Sequence, residues 1–111
     1  MKRTTKFTLV LITAPDVKTA RKLATTILRH RLAACVNLVP SIESHYWWQG
    51  KLERGQEVLL IVKTIRPRLT ALEKAILKNH PYDTPEIIAV PLTAGTSRYL
   101  AWIEQSITAR S

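Results

Sequence analysis

The apolar positions change their spacing along the chain, and the first two changes predict a strand and then a helix. Residues 7–13 (FTLVLIT) are apolar and β-branched and stop at Ala14-Pro15, which indicates a strand ended by a breaker. Asp16 is a suitable N-cap for a helix that runs to about His30. Its apolar positions recur every three or four residues, as in an amphipathic helix: Val17, Ala20, Ala24, Ile27 and Leu28.

A long β-hairpin is predicted next. Strand-like sequence begins at Ala33 and is interrupted by Pro40, which indicates a bulge or bend. Gln49-Gly50 predicts a tight turn, because glycine readily adopts positive φ. The return strand covers residues 51–64. A two-residue turn predicts these pairs: Trp48 with Lys51, Trp47 with Leu52, and Tyr46 with Glu53.

The second half of the chain predicts a helix, a strand and a further helix. Pro67 suits the first position of a helix that must end before Pro81. Residues 86–92 (EIIAVPL) form the fourth strand, and a third helix covers residues 97–108. The inward positions predicted for the two helices are Leu69, Leu72, Ile76 and Leu77, and then Tyr99, Trp102, Ile103 and Ile107. The order predicts a single α+β domain, residues 1–111, with a ferredoxin-like βαββαβ sandwich and an extra C-terminal helix.

The predicted strands are apolar on both faces, although this topology places two helices on only one face of the sheet. In the first strand, for example, Leu9 and Leu11 point one way while Val10 and Ile12 point the other. Strands of this kind belong to sheets buried on both sides. The third helix can cover part of the second face, so we expect other subunits to cover the rest.

The hairpin supports the same expectation. Strands of this length reach roughly 45 Å at about 3.3 Å per residue, so the outer half would extend beyond its own helices. An isolated two-stranded ribbon is only marginally stable in water. Trp47 and Trp48 point to opposite faces of this ribbon, and we favour a subunit contact for them over an aromatic ligand platform.

The net charge of +9 raises the question of nucleic acid. The excess is concentrated in residues 1–31, where Lys18, Lys22 and Arg29 form one stripe of the first helix. The stripe fits either a phosphate-binding face or a solvated basic face. Because no aromatic residue is interleaved for base stacking, we favour the solvated face and expect no specific nucleic-acid partner.

Apolar runs reach only five residues, which predicts no membrane span. The single cysteine cannot form an internal disulfide, and we expect a cytoplasmic protein.

Metal and catalytic motifs are weak when only the residues are considered. Cys35, His30, His45 and His80 are the soft or borderline ligands, but none of the usual zinc spacings occurs. Cys35 fits either a small buried apolar residue or a ligand in a site assembled across subunits. Residues 93–98 open a helix and fit either an anion site or ordinary capping. Residues 13–16 lack the glycines and arginine of a phosphate cradle, which argues against a small hydrolase similar to the acylphosphatases.

Three ordered segments nevertheless resemble the CutA divalent-cation-tolerance family over nearly the whole chain. They are RLAACVN at 31–37, SHYWWQGKLERGQEVLLIVKT at 44–64 and HPYDTPEIIAVPL at 80–92. The resemblance implies a homotrimer similar to the PII signalling proteins, with no enzymatic activity and no organic cofactor. It implies binding of copper or another divalent cation, with Cys35 and His80 as candidate ligands. An inter-subunit cleft would gather Tyr46, Trp48, Glu57, Lys63, Tyr82 and Glu86. The alternative is a PII-like signalling or scaffold module that binds a small polar ligand or a partner in this cleft.

Overall fold

The computed structural model describes residues 1–109, so the last two residues of the predicted 1–111 domain lie outside it. Its elements are β1 (Lys2–Arg3), β2 (Phe7–Ala14), α1 (Val17–Arg29), β3 (Cys35–Trp48), β4 (Lys51–Ile65), α2 (Leu69–Asn79), β5 (Ile87–Pro91), β6 (Ala94–Gly95) and α3 (Ser97–Thr108). The predicted α+β class is confirmed. The short pair β1–β6 was not predicted, and a 3₁₀ turn at Arg66–Arg68 delays the start of α2 beyond Pro67.

The main sheet has the strand order β3-β4-β2-β5, and neighbouring strands are antiparallel. The three residue pairs predicted at the tip of the β3–β4 hairpin are all present. Gln49 (φ 50°) and Gly50 (φ 77°) form the two-residue turn, and their positive φ values match the right-handed twist of a hairpin. The register shifts between Val39 and Ile42, which confirms the irregularity expected at Pro40.

Helices α1 and α2 cover one face of the sheet and form the larger core with it. Asp16 caps α1 as predicted, because its side chain accepts a hydrogen bond of 2.7 Å from the Thr19 N–H. The predicted inward positions Leu28 and Leu77 are wrong: they are 40% and 53% exposed. The buried residues of this core are Val10, Ile12, Ala14, Ala20, Leu23, Ile27, Leu32, Ala33, Val58, Leu60, Val62, Leu72 and Ile76.

Helix α3 covers only one end of the opposite face. There Leu100, Ile103 and Ile107 pack with Phe7 and Ile65 in a second buried cluster. The predicted inward positions Tyr99 and Trp102 are wrong, because both side chains are more than 40% exposed.

The remainder of this face, which we call the open face, is apolar as predicted. Its central residues Leu9, Leu11, Leu59 and Ile61 are half-buried. On the edge strand β5, Ile88 is 50% and Val90 is 40% exposed. Within one chain, the sheet therefore has one fully packed face and one apolar face that is only partly covered.

The outer hairpin, residues 42–57, extends beyond both helices. The longest dimension of the molecule is 44 Å. Burial on β4 begins only at Val58, and Trp47 at the tip is 71% exposed. The predicted overhang is therefore confirmed.

Candidate functional site

A cleft of 820 Å³ lies between the outer hairpin and the segment 81–86 that joins α2 to β5. The hairpin forms one wall because its strands continue past the packed part of the sheet. The other wall is irregular, since Pro81 and Pro85 prevent regular structure from continuing through this segment. The lining residues are Thr13, Ser44, His45, Tyr46, Trp47, Trp48, Glu57, Pro81, Tyr82, Asp83, Thr84 and Glu86.

A hydrogen bond connects the two walls. The Tyr82 hydroxyl donates to the Glu57 Oε2 carboxylate oxygen at 3.0 Å. Partial burial, the hydrogen bond to the Glu57 carboxylate and the negative charge of that carboxylate together raise the pKa of Tyr82 to about 12. Tyr82 is therefore a neutral phenol at physiological pH, and it fixes one oxygen of Glu57.

His80 lies beneath this contact and is buried. Its Nδ1 atom accepts a hydrogen bond of 3.1 Å from the Tyr82 N–H, so the proton of the neutral ring is on Nε2. The Nε2–H group donates to the Thr13 carbonyl oxygen at 2.7 Å. The two rings also pack together, with centroids 4.8 Å apart. Both nitrogens are therefore engaged, and coordination of a metal by His80 requires one of these hydrogen bonds to break.

Five of the six predicted cleft residues come together in one chain: Tyr46, Trp48, Glu57, Tyr82 and Glu86. Lys63 does not join them. It lies six residues along β4 from Glu57, or about 20 Å at the usual rise of a strand. Its Nζ atom lies 5.6 Å from the centre of the Tyr99 ring. A cleft that contains all six residues would need more than one chain, as the predicted inter-subunit cleft does.

Cys35 lies at the start of β3 and is half-buried. Its strand position opposite Lys63 puts it on the same side of the sheet as the open face. The thiol donates to the Asn37 side-chain oxygen at 3.8 Å, and this amide is not a general base that could activate the thiol as a nucleophile.

The two predicted metal ligands are far apart within one chain. Cys35 pairs with Lys63, whereas Thr13, the partner of His80, pairs with Leu59. Cys35 and Thr13 are thus four residues apart along the strand direction and two strand spacings apart across the sheet. These two offsets together place them about 16 Å apart. Among residues 1–109, no group of three or more His, Cys, Asp or Glu side chains is placed to hold a metal ion. One chain by itself therefore does not supply a closed metal site.

Seven lining residues were not among the predicted cleft residues, and Asp83, His45 and Thr13 are three of them. Asp83 could have been predicted from the sequence, since it is an acidic residue beside Tyr82 and lies between two prolines. Thr13 could not, because it reads as the end of a core strand. His45 lies on an exposed strand and pairs with Glu43 at 2.7 Å.

Two further findings concern partners. The stripe Lys18, Lys22 and Arg29 is exposed on α1, which fits both a solvated basic face and a phosphate-binding face. In residues 1–109, no helix is long and apolar enough to cross a membrane.

Comparison with known proteins gives a consistent result. Residues 8–106 match the model of the family described as CutA1 divalent ion tolerance protein. The chain is 46% identical to the chloroplastic protein CutA 1 of Oryza sativa, over 87% of this chain and 55% of the relative. It is 44% identical to the divalent-cation tolerance protein CutA of Pectobacterium atrosepticum, over 88% of this chain and 89% of the relative. The chain thus spans about half the length of the Oryza sativa relative and most of the length of the Pectobacterium atrosepticum relative.

Solved structures agree with these relatives. The crystal structure of CutA1 from Oryza sativa superposes with a TM-score of 0.90 at 43% identity and covers 96% of this chain and 98% of that one. The periplasmic divalent cation tolerance protein CutA from Archaeoglobus fulgidus gives 0.88 at 36% identity, with 91% and 98% covered. Two of these names refer to a compartment: the chloroplast for the Oryza sativa relative and the periplasm for the Archaeoglobus fulgidus protein.

Proposed function

Because the chain belongs to the CutA1 divalent ion tolerance protein family, we propose that it acts in tolerance to divalent cations as a non-enzymatic homotrimer. The subunit in this proposal is a ferredoxin-like sandwich, and the trimer is similar to that of the PII proteins. The strand order β3-β4-β2-β5, with α1 and α2 on one face, supports the subunit fold.

The main support for the proposed trimer is the open face. A monomer in water would leave Ile88 and Val90 half-exposed beside a band of half-buried leucine and isoleucine side chains. Contiguous apolar surface of this kind marks a protein contact. The outer hairpin supports the same assembly, since Trp47 and Leu52 are about 70% exposed on a ribbon without a covering layer.

Substitution of Val90 by glutamate tests the assembly. Wild-type protein is expected to sediment as a trimer, and Val90→Glu is expected to sediment as a smaller species, because it places a charge inside the contact. Leu77→Glu is the matched control, since Leu77 is also an exposed apolar residue but lies on α2, away from the open face. A wild-type monomer, or a Val90→Glu trimer as stable as wild type, would contradict the proposal.

We further propose that the trimer binds copper or another divalent cation through Cys35 in the cytoplasm. Cys35 is the chain's only thiol, and thiolate is the preferred ligand of Cu(I). Its position on the face assigned to subunit contacts allows donors from neighbouring subunits to complete the coordination. His80 is the second candidate ligand, but its two hydrogen bonds oppose this role.

Calorimetric titration with Cu(I) and Cu(II) tests this part. Saturable binding is expected for the wild type and is expected to be lost in Cys35→Ser. His45→Ala is the control for adventitious surface binding, because His45 is an exposed imidazole on the hairpin. Equal binding by wild type and Cys35→Ser, or loss of binding only in His45→Ala, would show that Cys35 is not the ligand.

A further inference from the structure

The charges of the cleft differ from those of the rest of the chain. The protein has 17 basic and eight acidic residues. Three of the eight acids line the cleft, namely Glu57, Asp83 and Glu86. No Lys or Arg of residues 1–109 lines it. Within one chain, this basic protein thus has a concave site whose formal charge is negative, which would attract a cation and repel an anion.

The apolar part of the lining is aromatic. Four of the chain's seven aromatic residues line the cleft, and three of them, Tyr46, Trp47 and Trp48, are consecutive on β3. Tyr46 and Trp48 point to the same side of the hairpin as Glu57 and are 44% and 48% exposed. Aromatic faces attract cations through their quadrupole, and tryptophan does so most strongly.

The spacing of the acids argues against a metal ion as the occupant. A divalent cation needs several oxygen ligands within about 2.6 Å of one point. No group of three potential metal ligands in residues 1–109 meets this kind of requirement, although three carboxylates line the cleft. Separated carboxylates next to aromatic faces fit a larger cation whose charge is surrounded by methyl or methylene groups. We propose that this cleft binds an aliphatic ammonium cation, a function that goes beyond cation tolerance.

The cleft is also prepared for a ligand. Its volume of 820 Å³ is within the range of about 300–1,000 Å³ found for small-molecule sites. The hydrogen bonds His80–Tyr82 and Tyr82–Glu57 hold one carboxylate in place before a ligand arrives. Such preorganisation reduces the entropy that binding must overcome.

Two probes of the same shape test the proposal, namely choline and its neutral isostere 3,3-dimethylbutan-1-ol. Binding to the full-length protein in its native assembly is followed by tryptophan fluorescence and by calorimetry. Choline is expected to bind about fivefold or more tightly than the alcohol, because only choline gains cation–π and carboxylate attraction.

Two variants separate the contributions of charge and ring. Glu57→Gln retains an acceptor for the Tyr82 hydroxyl but removes the charge, and it is expected to weaken choline about fivefold and leave the alcohol unchanged. Trp48→Leu retains an apolar side chain without a π face and is expected to weaken choline by a similar factor. Glu73→Gln is the matched control, since Glu73 is exposed on α2 outside the cleft.

Equal affinity for the two probes, no binding of choline, or an equal loss in Glu73→Gln would each overturn the proposal. Copper binding by Cys35→Ser is measured on separate samples. Failure of the ammonium site is therefore distinguishable from failure of the cation-tolerance proposal.

Discussion

His80 provides a direct test of how the candidate site is built. The ring donates to the carbonyl of buried Thr13 and accepts from the Tyr82 N–H. His80→Leu replaces the imidazole by an apolar side chain of similar size and removes both hydrogen bonds. If the hydrogen bond from His80 to Thr13 stabilises the fold, this variant should destabilise the protein; if His80 only awaits a metal, it should not.

The structure sets the magnitude of the loss. The Thr13 carbonyl belongs to a buried residue and would lack its imidazole partner, which costs about 1–3 kcal/mol. The Tyr82 N–H lies in an exposed segment, so water can replace its partner at little cost. We therefore expect His80→Leu to lower the free energy of unfolding by about 2 kcal/mol.

Guanidinium denaturation, followed by tryptophan fluorescence at one protein concentration, measures this change. His80→Gln is the matched control, because its amide N–H₂ can replace Nε2–H as donor to Thr13, and we expect it to lose less than half as much stability. Copper affinity is measured on the same samples. A His80→Leu protein that is as stable as wild type but no longer binds copper would refute the stabilising role and identify His80 as a ligand.

Three other predictions follow from local geometry. Gln49→Asn should raise the free energy of unfolding by about 0.5 kcal/mol in thermal or chemical denaturation, because asparagine tolerates the positive φ of this turn position better; an unchanged or lower value would contradict this. Thr64→Val should lower the free energy of unfolding by about 1–3 kcal/mol, since the buried Thr64 hydroxyl donates to the Leu32 carbonyl at 2.6 Å. Thr64→Ser retains the donor and should lose less stability; equal losses in the two variants would count against the hydrogen bond. In an ultraviolet titration, the phenol of Tyr82 should ionise near pH 12, and Tyr82→Phe should remove that step. Because the pKa of Tyr82 is raised on folding, its contribution to stability is complete below about pH 10 and is lost as the pH rises through 12. Ionisation of Tyr82 near pH 10 would show that it is not buried against Glu57.

The main elements were predictable because each had a strong local signal. The turn at Gln49-Gly50 fixes the register of the hairpin, so every pair at its tip followed from one dipeptide. Asp16 marked the start of α1 in the same way. Local signals failed where tertiary packing decides burial. Leu28 and Leu77 have the spacing of inward residues but lie at the margins of their helices' apolar stripes, where the sheet does not cover them.

The candidate site was predictable only in part, because it combines segments that are distant in the sequence. The resemblance placed Glu57 and Tyr82 in one cleft but could not show that they share a hydrogen bond. It also grouped Lys63 with them, although Lys63 lies near α3 within one chain. The alternation of residues along a strand shows which face of the sheet each side chain occupies. It does not show how far along the strand a cleft extends, so it could not separate Lys63 from Glu57.

The two tryptophans at the hairpin tip connect assembly with the cleft. Both side chains line the cleft, but Trp48 shares a face of the hairpin with Glu57, whereas Trp47 points to the opposite face and is 71% exposed. A subunit that packed against the outer hairpin would bury Trp47 and immobilise the strand that presents Trp48. Ligand affinity should then depend on assembly even without a ligand contact from the neighbouring subunit, because an unsupported ribbon holds its side chains poorly. On this reasoning, Val90→Glu weakens choline binding as well as the trimer, although Val90 does not line the cleft.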